Sequence, residues 1–199
     1  KNGIVKKTSL QEYDSNRKDG LIALTLDEDD ELIGVRLTKG NDDIILATRK
    51  GLAIRFSEQD VRTMGRTARG VKGITLANDD YVISLDVVDN KYNTDNLSLL
   101  TMTENGFAKR SNLADFRTQG RAGKGIICHK LNTKTGLLAG IKVVTDTDEL
   151  MVITDEGVII RQEVSGISVQ GRAAQGVLAM KTGESKVVAI AKFVAKDEE

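Results

Sequence analysis

Ile44-Ile45-Leu46-Ala47-Thr48-Arg49-Lys50-Gly51, continuing as Leu52-Ala53-Ile54-Arg55, is the stretch on which the fold turns. An apolar run rich in β-branched residues ends at a polar-Gly pair, and a second short apolar run follows. This is a hairpin signature, because Gly accepts the positive φ of a tight turn without steric cost. The same pattern recurs along the chain. Leu97-Ser98-Leu99-Leu100-Thr101-Met102-Thr103-Glu104-Asn105-Gly106 leads into Phe107-Ala108-Lys109-Arg110, and Leu150-Met151-Val152-Ile153-Thr154-Asp155-Glu156-Gly157 leads into Val158-Ile159-Ile160-Arg161. At the start, Asn2-Gly3 leads into Ile4-Val5-Lys6-Lys7. The turn glycines are 48, 55 and 51 residues apart, and four residues after each stands a basic residue: Lys7, Arg55, Arg110 or Arg161.

A second landmark is set at constant distance. Gly70, Gly125 and Gly176 each fall 19 residues after their turn glycine and close the pattern Gly-Arg-x-x-x-Gly, followed by Val or Ile. The instances begin at Gly65-Arg66, Gly120-Arg121 and Gly171-Arg172, with a degenerate version at Arg17-Lys18 ahead of Gly20. Two more apolar segments finish each unit: Val71 to Leu76 and Tyr81 to Val88, then Ile126 to Leu131 and Leu137 to Val144, then Val177 to Met180 and Val187 to Val194. Short length, β-branching and flanking Gly, Asn and Asp make these strands, and no window keeps a 3.6-residue period.

The chain therefore divides into repeats at 1–38, 41–89, 95–144 and 146–195, with an acidic tail at 196–199. Each repeat is expected to form one four-stranded antiparallel sheet. Such a sheet cannot bury both faces alone, and radial stacking solves this, so an all-β, propeller-like array of about four blades and 15 strands is expected. The first blade is incomplete. Either the chain begins inside a blade or another segment supplies the opening strand.

The 199 residues are 40% hydrophobic and 29% charged, enough to bury a core. With 29 basic and 29 acidic residues the net charge is zero, so bulk charge does not mark a nucleic-acid binder. No apolar run reaches the ~18 residues of a membrane span, and Lys1-Asn2-Gly3 opens no signal peptide. One cysteine, Cys128, and one histidine, His129, leave no internal disulfide and no multi-cysteine or His-rich metal site. A soluble intracellular setting without cofactor or metal is expected. Proline and tryptophan are absent and 19 glycines are present, so Gly, Asn and Asp must make the turns.

The charges are segregated. Residues 61–78 hold Arg62, Arg66, Arg69 and Lys72 with no acid, and residues 116–134 hold Arg117, Arg121, Lys124, Lys130 and Lys134 with no acid. Acids gather elsewhere: 27–31, Asp42-Asp43, Asp79-Asp80, Asp146 with Asp148-Glu149, and the tail. Charges further apart than the ~8 Å Debye length are largely screened from one another, so a neutral chain can present a basic belt. Arg forks onto phosphate oxygens, and Gly lets backbone N–H groups approach closely. The Gly-Arg loops carry no aromatic platforms for single strands, and no helix is available for the major groove. Backbone binding to bent duplex DNA is what remains. The candidate contacts are Lys7, Arg17, Lys18, Arg55, Arg62, Arg66, Arg69, Lys72, Lys109, Arg110, Arg117, Arg121, Lys124, Arg161 and Arg172. The alternative is structural: loop arginines that bridge neighbouring blades, and post-turn cations exposed on a strand or paired with an acid. If they do contact DNA, replacing Arg66, Arg121 and Arg172 with Ala weakens binding and leaves the fold intact.

No nucleophile–base pair or phosphate loop is present, so the chain carries no catalytic residues. Tyr81 reads as core, Tyr13 and Tyr92 as surface. Cys128 and His129, adjacent in an expected strand, point to opposite faces. The acids at 27–31 lack calcium-loop spacing and read as a solvated turn.

Val61-Arg62-Thr63-Met64-Gly65-Arg66 through Gly70-Val71-Lys72-Gly73-Ile74 resembles the C-terminal domain of the bacterial DNA gyrase A protein. So do Glu31-Leu32-Ile33-Gly34-Val35, Asn105-Gly106-Phe107-Ala108-Lys109-Arg110, Ile153-Thr154-Asp155-Glu156-Gly157 and Ser165-Gly166-Ile167-Ser168. The corresponding domain of the topoisomerase IV C protein is the alternative, with a protein-interaction propeller as a further one. The resemblance implies a β-pinwheel whose blades exchange strands and whose leading blades are missing here. It also implies DNA wrapped on the rim and a bacterial, cytoplasmic, nucleoid-associated type II topoisomerase of two A and two B subunits, in which ATP-driven strand passage introduces negative supercoils. The family's gyrase box, Gln-Arg-Arg-Gly-Gly-Lys-Gly, is not found. Gln119-Gly120-Arg121-Ala122-Gly123-Lys124-Gly125 is its nearest match and reads as a sister loop.

Overall fold

The structure, a computed structural model, describes residues 1–91 and 94–193. Tyr92, Val194 and the acidic tail at 196–199 lie outside the described residues. The first repeat contributes β1 (Ile4–Val5), and its remaining described residues form no strand. The second contributes β2 (Asp43–Thr48), β3 (Leu52–Ser57), β4 (Val71–Lys72) and β5 (Val82–Val88). The third contributes β6 (Ser98–Thr103), β7 (Phe107–Asn112), β8 (Ile126–Ile127) and β9 (Leu138–Val144). The fourth contributes β10 (Glu149–Thr154), β11 (Ile159–Glu163), β12 (Val177–Leu178) and β13 (Val187–Phe193).

The turns form where the glycines require them. Gly3, Gly51, Gly106 and Gly157 have φ of 80, 83, 80 and 80°. The hairpin β2–β3 pairs Asp43 with Ser57 through Ala47 with Ala53, and β6–β7 repeats that register from Ser98 with Asn112 to Met102 with Ala108. Each long third strand joins the other edge of its own hairpin, β5 on β2, β9 on β6 and β13 on β10.

The fourth strand differs from the residue-based expectation. It is not supplied by the same repeat. The sheets are ordered β5-β2-β3-β8 and β12-β7-β6-β9, so β8 of the third repeat completes the second sheet and β12 of the fourth completes the third. By the same rule β4 pairs with β1, and β11-β10-β13 stands as a three-stranded sheet. This is the exchange that the family resemblance implies. Its physical cause is the closing glycine. Gly70, Gly125 and Gly176 have φ of 102, 77 and 76°, and a Cβ there would stand 2.5, 2.8 and 2.6 Å from the carbonyl oxygens of Val5, Ala53 and Ala108. Only glycine lets the chain lie that close on the preceding hairpin.

Strand alternation then buries both faces of the middle sheets. Leu46, Ile54 and Phe56 point to a core shared with the first repeat, containing Val61, Ile74 and Val82. Ile45, Ala47 and Ala53 point the other way, onto Leu99, Leu113, Phe116, Leu138 and Ile141. Leu100, Met102, Leu150, Val152, Val164 and Val187 fill the next interface. The third strands pack edge to edge, β5 on β9 and β9 on β13. Tyr81 is half-buried and Tyr13 exposed.

Cys128 and His129 follow β8 rather than lying in a strand, and both side chains are buried. The Cys128 thiol donates to the Gly51 carbonyl at 3.3 Å, and burial pushes it up to about 12, so it is inert. The His129 ring lies 2.8 Å from both the Thr101 hydroxyl and the Gln175 carbonyl, and burial pushes it down to about 4. The unfolded imidazole, at 6.5, binds more protons than the folded one between these values. Stability from this group is therefore complete above pH 6.5 and lost as pH falls toward about 4. A urea-denaturation series against pH should show that loss, and His129→Gln should remove it. Gly125→Ala should cost about 1–3 kcal/mol in the same assay. Gly171→Ala, where no atom lies within 4 Å of the added carbon, should cost under about 0.5 kcal/mol.

Candidate nucleic-acid interface

The interface is built by a joint that recurs at every contact between repeats. The short strand lies on the preceding hairpin, and a backbone bond fixes its end: Gly73, Cys128 and Ala179 donate to the carbonyls of Gly3, Gly51 and Gly106 at 2.8, 2.9 and 2.9 Å. Beyond the hairpin, Met64, Gln119 and Gln170 donate to the carbonyls of Lys7, Arg55 and Arg110 at 2.8, 2.9 and 2.8 Å. These bonds bring each Gly-Arg loop to the same place on its neighbour.

The loop arginines then link one loop to the one before. Arg121 donates from Nη1 to the Lys72 carbonyl and from Nε to the Asp60 carbonyl, both at 2.9 Å. Arg172 donates to the Ile127 carbonyl at 2.7 Å, and Arg66 to the Ile22 carbonyl. Ile22, Lys72 and Ile127 each stand two residues past the closing glycine of the earlier loop. Further bonds join the loops: Thr75 N–H to the Gly123 carbonyl at 2.9 Å, Ala122 N–H to the Gly73 carbonyl at 2.7 Å and Lys130 N–H to the Ala174 carbonyl at 3.0 Å. The loops thus form a continuous row along one edge.

Several of the expected DNA contacts are not on that row's surface. Lys109 and Arg110 are buried, at 0% and 5% exposure, because they lie on β7 beneath the fourth repeat. Arg110 donates from Nε to the Ile167 carbonyl at 2.7 Å and pairs with Asp146. Arg55 pairs with Asp43 at 2.8 Å and reaches the carbonyls of Leu113 and Phe116 at 3.4 and 3.3 Å. Lys7 donates to the Glu58 carbonyl at 2.8 Å. The acceptors lie in or directly after the 3-10 turns Glu58–Asp60, Leu113–Asp115 and Val164–Gly166, whose carbonyl ends attract cations. The basic residue four past each turn glycine is thus a joint residue at three positions. Arg161 differs: it pairs with Glu149 of its own hairpin and lies over the Phe193 ring at 4.4 Å.

Two lysines grip the Gly-Arg loops from beneath. Lys109 donates to the Arg172 carbonyl at 3.0 Å and the Ser111 hydroxyl at 2.7 Å, and Lys6 donates to the Arg66 carbonyl. Burial pushes Lys109 down to about 8 and also lowers Lys6. Ile54 holds the equivalent place under the middle loop, 3.4 Å from where a Cβ on Gly123 would sit.

The outward cations are Arg17 and Lys18 in the first repeat, Arg62, Arg69 and Lys72 in the second, and Arg117, Lys124, Lys130 and Lys134 in the third. Within the described residues Arg69 alone among these has an ion pair, with the exposed Asp27 at 3.0 Å, a pairing that contributes little in water. In the fourth loop Ser168 and Gln175 occupy the places of Arg117 and Lys124, so the belt is uneven. Arg66, Arg121 and Arg172 are half-buried. Removing all three deletes inter-loop struts as well as charge, so that replacement should lower stability as well as binding.

Sequence reasoning missed Glu58. Its buried carboxylate accepts from Gly40 and Asp42 N–H at 2.7 and 2.9 Å and from the Thr38 hydroxyl at 2.7 Å. Burial opposes its charge, but these donors and Lys7 prevail and hold it below the ordinary carboxylate range. Asp43, read as part of a remote acidic turn, is likewise inside a joint. For Asp43 the signal was the recurrence of a cation at one repeat position. No helix among the described residues is long and apolar enough to cross a membrane.

The sequence matches the family described as DNA gyrase C-terminal domain, beta-propeller, over residues 1–39, 42–89, 98–145 and 148–193. It is 46% identical over 199 residues to the DNA gyrase A protein of Staphylococcus epidermidis, covering 100% of this chain and 22% of that protein. The chain thus spans about a fifth of the length of that relative. Among solved structures, the C-terminal domain of DNA topoisomerase IV matches with a TM-score of 0.88 at 29% identity, covering 96% of this chain and 59% of that one. A DNA gyrase A C-terminal domain matches with a TM-score of 0.87 at 24% identity, covering 97% and 63%.

The joint generates its own test. Arg110→Ala leaves the buried Ile167 carbonyl without its donor, while the exposed Asp146 returns to water, and should cost about 1–3 kcal/mol. Arg161→Ala, at an exposed site, should cost far less. Chemical denaturation of both variants measures the difference.

Proposed function

Because the chain belongs to the DNA gyrase C-terminal domain family, we propose that its edge of Gly-Arg loops binds duplex DNA by the phosphate backbone and bends it along the row. The observation that supports this most directly is the placement of the loops. Inter-loop bonds align them, and the exposed Arg62, Arg69, Lys72, Arg117, Lys124 and Lys130 face outward from the aligned stretch. Successive cations on a rigid edge can each neutralise a phosphate, and the contacts read no base. DNA that follows several loops must bend, which favours flexible steps.

The wider reading rests on relatives that are DNA gyrase A proteins. In it, this domain holds one duplex segment on a fixed path beside the strand-passing core of an assembly of two A and two B subunits. The path sets the direction of ATP-dependent supercoiling. The chain contributes binding, with the chemistry residing in other domains and no cofactor of its own. The setting is the bacterial cytoplasm, at the nucleoid.

Mobility shifts across a salt series test the first step. Wild-type affinity should fall linearly on logarithmic axes, and Arg62→Ala, Arg117→Ala and Lys124→Ala should each reduce the slope by about 0.9. Slopes that stay at the wild-type value would place DNA elsewhere. Ligation of nicked circles in the presence of the chain tests wrapping: a shift in linking number supports it, and an unchanged distribution despite saturating binding removes it.

A further inference from the structure

The edges of the third strands meet away from the loop row, and they enclose a recess of about 440 Å³. Its walls come from all four repeats. Arg36 belongs to the first, Asp86 and Asp89 to β5 and the residues just after it, Lys142 and Val143 to β9, and Ile190 and Lys192 to β13. The pairing registers place Leu85, Ile141 and Ile190 at one level, because each stands opposite the residue five before its turn glycine. Asp86 and Lys142 follow them directly, so charged side chains occur at the same step of neighbouring strands.

Most of these charges are already matched. Asp86 accepts Val143 N–H at 2.8 Å and lies 3.4 Å from Arg36 Nε. Asp89 pairs with Lys39 at 2.5 Å, and Lys192 with Asp148 at 3.5 Å. Lys142 is the exception. Its side chain is half-buried, and no hydrogen bond or ion pair within 4.0 Å reaches its amine among the described residues. Burial lowers its proton affinity, Asp86 opposes that effect, and Arg36 and Lys192 add to it. A half-buried ammonium whose nearest carboxylate, Asp86, is already taken up by Arg36 Nε and Val143 N–H, and whose recess holds two further cations, costs free energy unless a further counter-charge fills the gap.

We propose that this recess is a binding site for a small phosphate-class oxyanion, held by Lys142 with Arg36 and Lys192 at its sides. Arg36 has guanidinium donors left over, since the carboxylate of Asp86 and the Val35 carbonyl engage only Nε and Nη1. One anion in this position touches the first, third and fourth repeats at once. It fastens the array at a place distinct from the loop row: at the loops the cations are offered to solvent, and here three of them line one recess. The two sources of such an anion are the free ion and the phosphate end of a small metabolite.

Thermal unfolding of the whole chain at constant ionic strength, in chloride against inorganic phosphate or glycerol phosphate, tests the site. Phosphate should raise the midpoint by about 5–10 °C at a hundredfold excess over its dissociation constant. Equal responses to both probes mean that the recess admits a phosphomonoester, and a response to inorganic phosphate alone means that it takes the free ion. Lys142→Met keeps the side chain's bulk and removes its charge. It should unfold at or above the wild-type temperature in chloride and lose the phosphate response. Lys124→Ala, on the loop row, should keep that response. A phosphate shift that survives in Lys142→Met, or the absence of any shift in the wild type, would overturn the proposal.

Discussion

A two-residue strand laid across the preceding hairpin is the contact from which the rest of this molecule follows. It is made possible by a glycine whose hydrogen faces a carbonyl oxygen at a distance no side chain tolerates. Two ladder positions are too few to hold strands together alone. They work because the closing glycine, the bond to the turn-glycine carbonyl and the apolar core between sheets act at one place. The loop that precedes the short strand is thereby carried to a fixed point on the neighbour. Its position is a by-product of packing, which is how an irregular Gly-rich segment acquires a defined place on the surface.

The cations divide by location into two kinds. Those inside a strand, such as Lys109, Arg110 and Arg55, face carbonyls and carboxylates within the protein and order the joints. Those in the loops, such as Arg62, Arg117 and Lys124, have no ion-pair partner among the described residues and remain available to a phosphate backbone. A buried arginine is tolerated only with its donors met, and here the carbonyls of a 3-10 turn and one carboxylate together meet them. Neutral overall composition is therefore compatible with an edge of one sign, because many of the acids lie in joints and at other turns.

The period, the hairpins and the three long strands of the second, third and fourth units were legible from residue order, since a tight turn needs positive φ and glycine is the residue that gives it cheaply. The ownership of the short strand was not legible from the residues themselves. Val71-Lys72 reads as a strand whichever hairpin it joins, and only the likeness to a strand-exchanging family pointed to the neighbour. Residue type likewise cannot separate Arg110 from Arg117. Their surroundings do: Arg110 sits in the short segment directly after a turn glycine, and Arg117 sits beyond it in a Gly-rich loop. The recurrence of a cation at the fourth place after every turn was itself a sign of a structural task, because a joint repeated three times needs the same fitting each time. Buried Glu58 had no comparable signal, as its donors come from a loop whose course is set by tertiary contacts.

Strand lending has one more effect. The stretch of chain that repeats and the piece of structure that is complete do not coincide, because each complete sheet takes its short strand from the next repeat. Excising a repeat at its sequence boundaries would take away the last strand of the sheet before it and leave its own hairpin with a bare edge. Stability must then be shared between neighbours, and the sheets are coupled more tightly than in an array whose units merely touch. Unfolding that begins in one sheet exposes backbone in the next, so the molecule gives way as a body.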